Sequence, residues 1–267
     1  MSFVPILPLS GAAGWAMLKR TMATQTAAMQ ATPEMARDTD YFRANIGKVT
    51  TADHLVGDRR LLKVALGAFG LEADIGNKAF IKKVLTDGIT SGAALANRLA
   101  DKRYLHLANA FRFDRTVPAT QSADFATTIL AAYKARAFET AVGTQDEYLR
   151  LAMNAQRELA PLAAASSSEN TKWLTILGSA PLAQVFQKAL GLPTSTSALN
   201  LDQQLGLYKT KASAVFGDSG ISQFADNTKS ETLIKRFLSR SQADQLLSLS
   251  SGTSIALTLL QQAKGSL

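Results

Sequence analysis

The residues whose chemistry could be catalytic fall in short segments, and the first of these contains a serine. Residues 217–220, Gly-Asp-Ser-Gly, match the tetrapeptide around the nucleophile of serine proteases, where a histidine and a buried aspartate activate the serine on a β-barrel scaffold. The hydrophobic pattern here is helical, and Ile221 follows where those enzymes have a further glycine. The same four residues form a favourable turn after a helix. We therefore interpret Ser219 as a turn residue without a catalytic role.

A second segment resembles a calcium-binding loop. Residues 226–230, Asp-Asn-Thr-Lys-Ser, begin with suitable oxygen ligands. Glu231, however, stands where such a loop needs glycine, and Phe237 stands where it needs a bidentate glutamate. Thr228 and Glu231 instead have the spacing of a capping box, so this segment predicts the start of a helix.

Metal and thiol chemistry have little support in the sequence. No cysteine is present, which excludes disulfides, thiolate zinc sites and cysteine nucleophiles. The two histidines, His54 and His106, lie on predicted helices without the spacing of metal ligands. We expect the acids of residues 38–58 to lie at helix starts and to pair with nearby arginines such as Arg43 and Arg60. We predict no catalytic residue, no metal ligand and no cofactor.

The chain is basic, and the distribution of charge matters more than its total. Of the net charge of +8, residues 48–115 supply +5, with twelve bases and seven acids. Such a stretch could contact the phosphates of a nucleic acid. Acids interrupt each basic cluster, as at Asp58, Asp74 and Asp101, and this favours a solvated basic face. A nucleic-acid-binding or regulatory helical module that uses residues 48–115 is the alternative hypothesis.

The N-terminal segment is apolar but does not resemble a secretory signal. Residues 1–9 contain two prolines and no leading positive charge, because Lys19 and Arg20 come after the apolar stretch. No run approaches the ~20 apolar residues that a membrane helix needs. We expect a cytoplasmic protein, and the sequence gives no support for export through a flagellar route. The apolar side chains of residues 1–30 either pack on the chain's own core or dock on a partner, and both interpretations stay open.

The elements that must position these residues are helices. Helical periodicity extends over most of the chain, and strand alternation is nearly absent. Residues 32–34, Thr-Pro-Glu, predict a helix start, and Thr51 predicts the cap of a helix that runs through Phe69. Gly70 predicts a left-handed end to that helix, and residues 144–147 predict a capping box. The sequence predicts an all-α protein with about ten to twelve helices.

Composition divides the chain into three stretches. Residues 1–36 form an N-terminal segment and first helix, residues 37–165 a first helical half, and residues 166–267 a second helical half. The boundary between the halves is predicted within the small residues 163–168. The halves form either one compact unit or two subdomains.

A weak internal repeat relates the two halves. Ala68-Phe69-Gly70-Leu71 matches Ala189-Leu190-Gly191-Leu192 at a shift of 121 residues, and Val56-Gly57 matches Leu177-Gly178 at the same shift. Two similar helical subdomains packed together would account for these matches. Glycines that end helices also produce such matches by coincidence, so both explanations stay open.

Several segments are typical of one known family. They are Arg37–Phe42, Asp58–Leu71, Ala96–Tyr104 and Phe138–Gly143, together with Trp173, Pro181-Leu182 and Ala189–Pro193 in the second half. With these segments the chain resembles the bacterial domain-of-unknown-function family DUF1217. The signature residues are Asp58, Arg59, Arg60, Phe69, Gly70, Leu71, Asp101, Arg103 and Tyr104.

The resemblance implies an all-helical protein whose genes often lie among flagellar genes. The family has no defined catalytic residues, so none is assigned here, and we expect the signature residues to be structural. The leading hypothesis is a non-enzymatic helical interaction protein with a protein partner, which the resemblance suggests is a flagellar component. Nucleic acid is not favoured as a partner, no membrane span is expected, and the oligomeric state stays open.

Overall fold

Capping residues and glycines set most of the helix boundaries in this chain. The computed structural model describes residues 3–264 and the side chains of residues 3–247. Thirteen α-helices and five short 3₁₀ segments occur in that part of the chain, and no strand. The all-α prediction is confirmed. The count is one above the predicted range because the helix expected between Thr51 and Phe69 is broken in two.

The chain forms two units, each with its own internal contacts. Unit 1 comprises Met1–Ile6 and Arg20–Thr144, and unit 2 comprises Leu7–Lys19 and Gln145–Leu267. The first helix, α1 (Gly11–Gln30), contributes residues to both units. The small residues 163–168 lie within unit 2. The predicted three-part organisation of the chain stays a prediction.

Unit 1 is built around one buried helix. Besides its part of α1, unit 1 contains α2 (Pro33–Asn45), α3 (Ala52–Gly57), α4 (Arg59–Phe69), α5 (Lys78–Asp87), α6 (Leu95–Arg98), α7 (Arg103–Phe111) and α8 (Phe125–Gly143). The buried helix is α4. Helix α4 packs against α2, α3, α7 and α8. Leu62, Val64 and Leu66 of α4 are fully buried. Apolar burial on several sides of α4 therefore holds the unit together.

Unit 2 has a corresponding central helix. Its helices are α9 (Glu147–Ala164), α10 (Glu169–Gly178), α11 (Ala180–Leu190), α12 (Leu201–Phe216) and α13 (Asn227–Lys264). Helix α11 packs against α9, α10, α12 and α13. Trp173 lies in the core, with edge-to-face contacts to Phe186 at 5.4 Å and Tyr208 at 5.9 Å between ring centroids. Such aromatic pairs stabilise a core beyond the area that they bury.

The predicted helix between Thr51 and Phe69 is interrupted. Thr51 caps α3 as expected, because its hydroxyl oxygen accepts a hydrogen bond from the His54 amide at 3.3 Å. Asp58 then leaves the helical conformation and starts α4 with its own side chain. A carboxylate that accepts the first amides of a helix also interacts favourably with the helix dipole. Because α4 starts in this way at Asp58, α3 ends at the residue before it, Gly57.

Two predicted capping boxes are wrong. Asp146, and not Thr144, caps α9, since its carboxylate accepts the Leu149 amide at 2.9 Å. Asp226, and not Thr228, caps α13 by accepting the Thr228 amide at 2.7 Å. In both places a charged acceptor lies next to the predicted hydroxyl and binds the helix amides in its place.

Two of the glycines predicted to end helices, Gly70 and Gly191, adopt the left-handed conformation. Gly70 ends α4 with φ +70°, and Leu71 donates its amide to the Leu66 carbonyl at 3.0 Å. Gly191 ends α11 with φ +69°, and Leu192 donates to Gln187 at 2.9 Å. Both ends are Schellman motifs. The bounds of α11 equal those of α4 shifted by 121 residues, as in the sequence repeat.

Helices α8 and α13 also correspond to one another, at a shift of 104 residues. The buried residues Ile129, Leu130 and Tyr133 of α8 match the buried residues Leu233, Ile234 and Phe237 of α13. One turn further, the guanidinium of Arg136 lies beside Gly70, and that of Arg240 lies beside Gly191. A common origin of the two units stays a proposal, which these matching positions support.

The C-terminal leucine-rich stretch continues as part of α13 to Lys264. The side chains of Leu249, Ile255, Leu259 and Leu260, which we expected to be apolar helix positions, lie outside the residues whose side chains are described. Within the described part of the chain, no helix is long and apolar enough to cross a membrane.

Candidate functional site

The first group of signature residues lies at the start of α4. The Asp58 carboxylate accepts the amides of Arg60 at 2.9 Å and Leu61 at 3.0 Å. Its other oxygen accepts the Tyr41 hydroxyl at 2.6 Å, and the Arg60 guanidinium stacks over the Tyr41 ring at 4.7 Å. Asp58 thereby joins the end of α2 to the start of α4. Arg59 is exposed beside it.

These contacts shift the pKa values of Asp58 and Tyr41. Burial raises the pKa of Asp58, but the hydrogen bonds from Tyr41 and from the two amides outweigh it, so the pKa lies below its ordinary value. The pKa of the Tyr41 hydroxyl is raised because it donates to that carboxylate. Asp58 is therefore ionised at neutral pH and acts as an acceptor, unsuited to the role of a general acid.

One turn further along α4, a lysine holds two acids of α2. Lys63 Nζ lies 2.7 Å from Asp38, which is buried, and 2.9 Å from Glu34. Burial lowers the pKa of Lys63, but the hydrogen bonds to both acids outweigh it and raise the pKa above its ordinary value. Lys63 therefore stays protonated, joins α4 to α2 through ion pairs and cannot act as a base. Arg60 lies 3.9 Å from Asp38 on the same side.

The second group of signature residues lies at the other end of α4. Leu71 is buried in the core, Phe69 is half-buried, and the Gly70 carbonyl accepts a hydrogen bond from the Arg103 guanidinium. Asp101 holds the same guanidinium through two oxygens, at 3.0 and 2.7 Å. A bidentate carboxylate fixes the plane of the arginine. The pair therefore fastens the start of α7 to the end of α4.

Tyr104 completes this end of the helix. Its hydroxyl donates to Asp74 at 2.7 Å, and its ring packs edge to face on Phe80 at 5.1 Å. Burial and the Asp74 carboxylate raise the pKa of Tyr104 to about 12. The structure thus places the nine signature residues in two clusters at the ends of one buried helix, where they form contacts within the unit.

Six of the twelve bases of residues 48–115 pair with acids of the same unit: Arg60, Lys63, Lys82, Lys83, Arg103 and Arg112. Lys82 lies 2.6 Å from Asp53, and Lys83 lies 3.0 Å from Asp87. Further pairs join Arg103 to Asp101 and Arg112 to Asp114. Ion pairing of this kind reduces the positive potential that a nucleic acid would meet.

Ser219 lies in the predicted turn. Gly217 ends α12 with φ +84°, and the Asp218 carboxylate accepts the Gly220 amide at 2.8 Å. The Ser219 carbonyl accepts the indole N–H of Trp173 at 2.8 Å, while the residue itself is exposed. Asp218 thus shapes the turn and does not orient a histidine. Among the residues that the structure describes, no three acids, histidines or cysteines converge to hold a metal ion, His54 and His106 included.

A polar cluster that was not predicted from the sequence lies beside this turn. Lys172 is 3% exposed and donates to the Ala163 carbonyl at 2.8 Å and to Ser222 Oγ at 2.6 Å. Ser222 in turn donates its hydroxyl to Glu169, and Glu169 also accepts the amide of Ile221. The partners lie about 50 residues apart in the chain, so no local pattern could have indicated them.

A lysine beside a serine hydroxyl also occurs in serine–lysine hydrolases, but the bonding here is different. Burial raises the pKa of Glu169, yet the hydrogen bonds from Ser222 and from the Ile221 amide outweigh it and lower the pKa overall. The carboxylate is therefore ionised and accepts the hydrogen bond from the Ser222 hydroxyl, whose oxygen accepts a hydrogen bond from Lys172. With the bond from the Ile221 amide to Glu169, this cluster anchors the 217–226 loop to α10.

The N-terminal segment is partly packed and partly exposed. Trp15 and Leu18 are buried within unit 2, and Phe3 packs on Phe138 of unit 1 at 6.1 Å. Val4 and Ile6 are 66% and 69% exposed. Both interpretations of this segment therefore keep some support.

The exposed face of α13 carries both basic side chains and exposed leucines. Up to Ser241 one side of the helix is buried, including Leu233, Phe237 and Leu238, whereas residues 242–247 are all exposed. Leu246 and Leu247 are 61% and 67% exposed. Opposite the buried side runs one continuous row, here termed the α13 stripe: Thr232, Lys235, Arg236, Ser239, Arg240, Ala243, Leu246 and Leu247.

Comparisons with known proteins identify the family. A crystal structure of a protein from Agrobacterium tumefaciens is similar over 90% of this chain and 98% of that chain, with 27% sequence identity and a TM-score of 0.72. No curated protein matches the chain. The model of a family described as a protein of unknown function, DUF1217, matches residues 68–230, which include the signature residues Gly70, Arg103 and Tyr104. The chain therefore belongs to the DUF1217 family, as its sequence signature predicted.

Proposed function

We propose that this protein is a non-enzymatic interaction protein that binds another protein through the α13 stripe. The observation that carries the proposal is the exposure of Leu246 and Leu247, adjacent leucines on a helix whose backbone continues to Lys264. Adjacent leucines exposed on a regular helix are typical of surfaces that dock on a partner helix or groove.

The polar clusters support a non-enzymatic function, because their side chains bond to other groups of the protein. Asp58, Lys63 and Arg103 bind groups of their own unit, as do Lys172 and Glu169. Each of these side chains has a structural role that accounts for its position. A protein of this kind acts stoichiometrically, through its surface, and we place it in the cytoplasm.

The family resemblance extends the proposal to flagellar assembly or function. This part comes from the resemblance alone, and deletion of the gene in a motile host tests it. We expect impaired swimming with unchanged metabolic activities. Normal swimming, with flagella normal in number and length, would refute the flagellar part. The alternative, a nucleic-acid-binding module, has less support because half of the bases of residues 48–115 are paired with acids.

Affinity capture from cells tests the docking surface. We expect the full-length protein to retain a protein partner in a fixed ratio, and the Leu246→Ser/Leu247→Ser variant to lose it. Leu201→Ser is the matched control, because Leu201 is a similarly exposed leucine, 53% accessible, on α12 of the same unit. If all three proteins retain the same partners, or none retains any, the α13 stripe is not the binding surface.

A further inference from the structure

The α13 stripe is basic in its first half. Lys235, Arg236 and Arg240 lie on it, with the hydroxyls of Thr232 and Ser239 between them, and no acid lies among its eight residues. Ala243, Leu246 and Leu247 continue the same row toward the end of the described side chains. The stripe therefore changes from cationic to apolar along a distance of about 22 Å, at 1.5 Å per residue.

The acids of this part of α13 lie at the flanks of the stripe and are already engaged. Glu231 accepts Lys19 Nζ at 2.6 Å and the Trp15 indole at 3.3 Å, and it lies 3.7 Å from Lys235 Nζ. Asp244 pairs with Lys188 on the opposite flank. Arg236 uses only its Nε to donate to the Ala189 carbonyl at 3.3 Å. Lys235 and Arg240 are nevertheless exposed and Arg236 is half-buried, so the stripe presents positive charge at its surface.

Packing of the unit does not require these bases. In α8, which has the same buried residues at a shift of 104, the positions of Lys235, Arg236 and Ser239 are occupied by three alanines: Ala131, Ala132 and Ala135. Only Arg240 has a basic counterpart, Arg136, and both lie beside the glycine that ends a helix. Helix α8 therefore packs in its unit without a base at the positions of Lys235 and Arg236.

We propose that the α13 stripe binds an acidic amphipathic helix of a partner protein. Carboxylates of the partner face Lys235, Arg236 and Arg240, and apolar side chains one or two turns further cover Leu246 and Leu247. The inference rests on the proposed function and specifies the chemistry of the partner. Complementary charge fixes the direction and register of two docked helices, and apolar burial supplies most of the affinity.

Two other occupants fit the stripe less well. A nucleic acid would satisfy the three bases, but a phosphate backbone offers no apolar surface to Leu246 and Leu247. A second copy of the chain could cover the leucines, but two identical basic stripes repel one another when aligned side by side. Both are outcomes of the test below.

Fluorescence anisotropy of labelled probes, titrated with the full-length protein, tests the inference. The probe is a helical peptide of about 20 residues with three glutamates followed by two leucines on one face, enough to span the stripe. A second peptide has lysines in place of the glutamates, and a short DNA duplex is a third probe. We expect only the glutamate peptide to bind, and more weakly as salt is raised.

Matched variants assign the binding to the stripe. Lys235→Gln/Arg240→Gln removes two charges from it, and we expect the Kd to rise about tenfold. Lys209→Gln/Lys211→Gln removes two charges from α12 of the same unit and should leave the Kd unchanged. Equal binding of both peptides, tighter binding of the duplex, or dimerisation that the leucine variant abolishes would overturn the acidic-partner inference.

The two proposals fail in different ways. In one case Leu246→Ser/Leu247→Ser loses the cellular partner, while Lys235→Gln/Arg240→Gln binds it with unchanged affinity. The partner is then not acidic, and the proposed function stands. If the leucine variant keeps every partner, the proposed function fails with the inference. Circular dichroism at 222 nm confirms that each variant is folded, and a variant that is not folded is replaced by Lys235→Ala alone, at an exposed position.

Discussion

The signature glycine of α4 offers a direct test of how this family's sequence determines its fold. Replacing Gly70 by Ala forces a Cβ into the left-handed region at φ +70°, which costs roughly 1–2 kcal/mol. The added Cβ would lie 3.0 Å from the Arg136 guanidinium and 3.7 Å from that of Arg103. The 3.0 Å contact is tighter than usual, so the Arg136 side chain must shift by a few tenths of an ångström, which adds a smaller cost, whereas the 3.7 Å contact with Arg103 is ordinary.

The expected total is about 2 kcal/mol, which corresponds to a fall of about 4–8 °C in the Tm of the transition that includes unit 1. Thermal unfolding followed by circular dichroism at 222 nm measures it. Gly70→Asn should lose less, because asparagine tolerates the left-handed region. Gly206→Ala is the opposite control: Gly206 is exposed in the middle of α12 with no atom within 4 Å of an added Cβ, so alanine should stabilise the helix by roughly 0.5–1 kcal/mol. If Gly70→Ala unfolds at or above the wild-type temperature, the Schellman end of α4 does not form.

Two further predictions concern unit 1. Leu62→Ala, at a fully buried position of α4, should lower the free energy of unfolding by about 2–5 kcal/mol in urea titrations, and a loss below about 1 kcal/mol would show that α4 is not the centre of the unit. Asp58→Ala removes the cap of α4 and should cost about 1 kcal/mol at pH 7. Because the folded state lowers the pKa of Asp58, this contribution is present above the carboxyl's ordinary pKa of 3.8 and is lost as the pH falls through the lower, folded value. Wild type and variant should therefore converge in stability in strong acid, and a difference that grows there would contradict the lowered pKa.

Sequence patterns predicted the structural features that depend on residues close together in the chain, such as the helix ends at glycines. Gly70, Gly191 and Gly217 each end a helix, as predicted, and all three adopt the left-handed conformation, because no other residue adopts it at so little cost. The competition between nearby caps was not predicted: Asp146 and Asp226 lie within two residues of the hydroxyls chosen, and sequence spacing alone does not rank the acceptors.

Contacts between distant residues were beyond the reach of sequence patterns. The pairing of Lys63 with Asp38 joins positions 25 apart, and the Lys172–Ser222 bond joins positions 50 apart. The basic and apolar residues of the α13 stripe are visible in the sequence, but which side of α13 is buried follows from packing on α9 and α11. The signature of the family was recognisable, but the contacts that its residues make at both ends of α4 were not predicted.

The division of α1 between the two units has a consequence for synthesis on the ribosome. Trp15 belongs to unit 2, and its indole bonds to Glu231, which is 216 residues later in the chain. At 5–20 residues per second, translation of that interval takes about 10–40 s. Residues 20–144 can complete a core during this time, whereas Trp15 and Leu18 wait for helices that are not yet made. We therefore expect the apolar side chains of Trp15 and Leu18 to stay exposed on the nascent chain until α13 emerges.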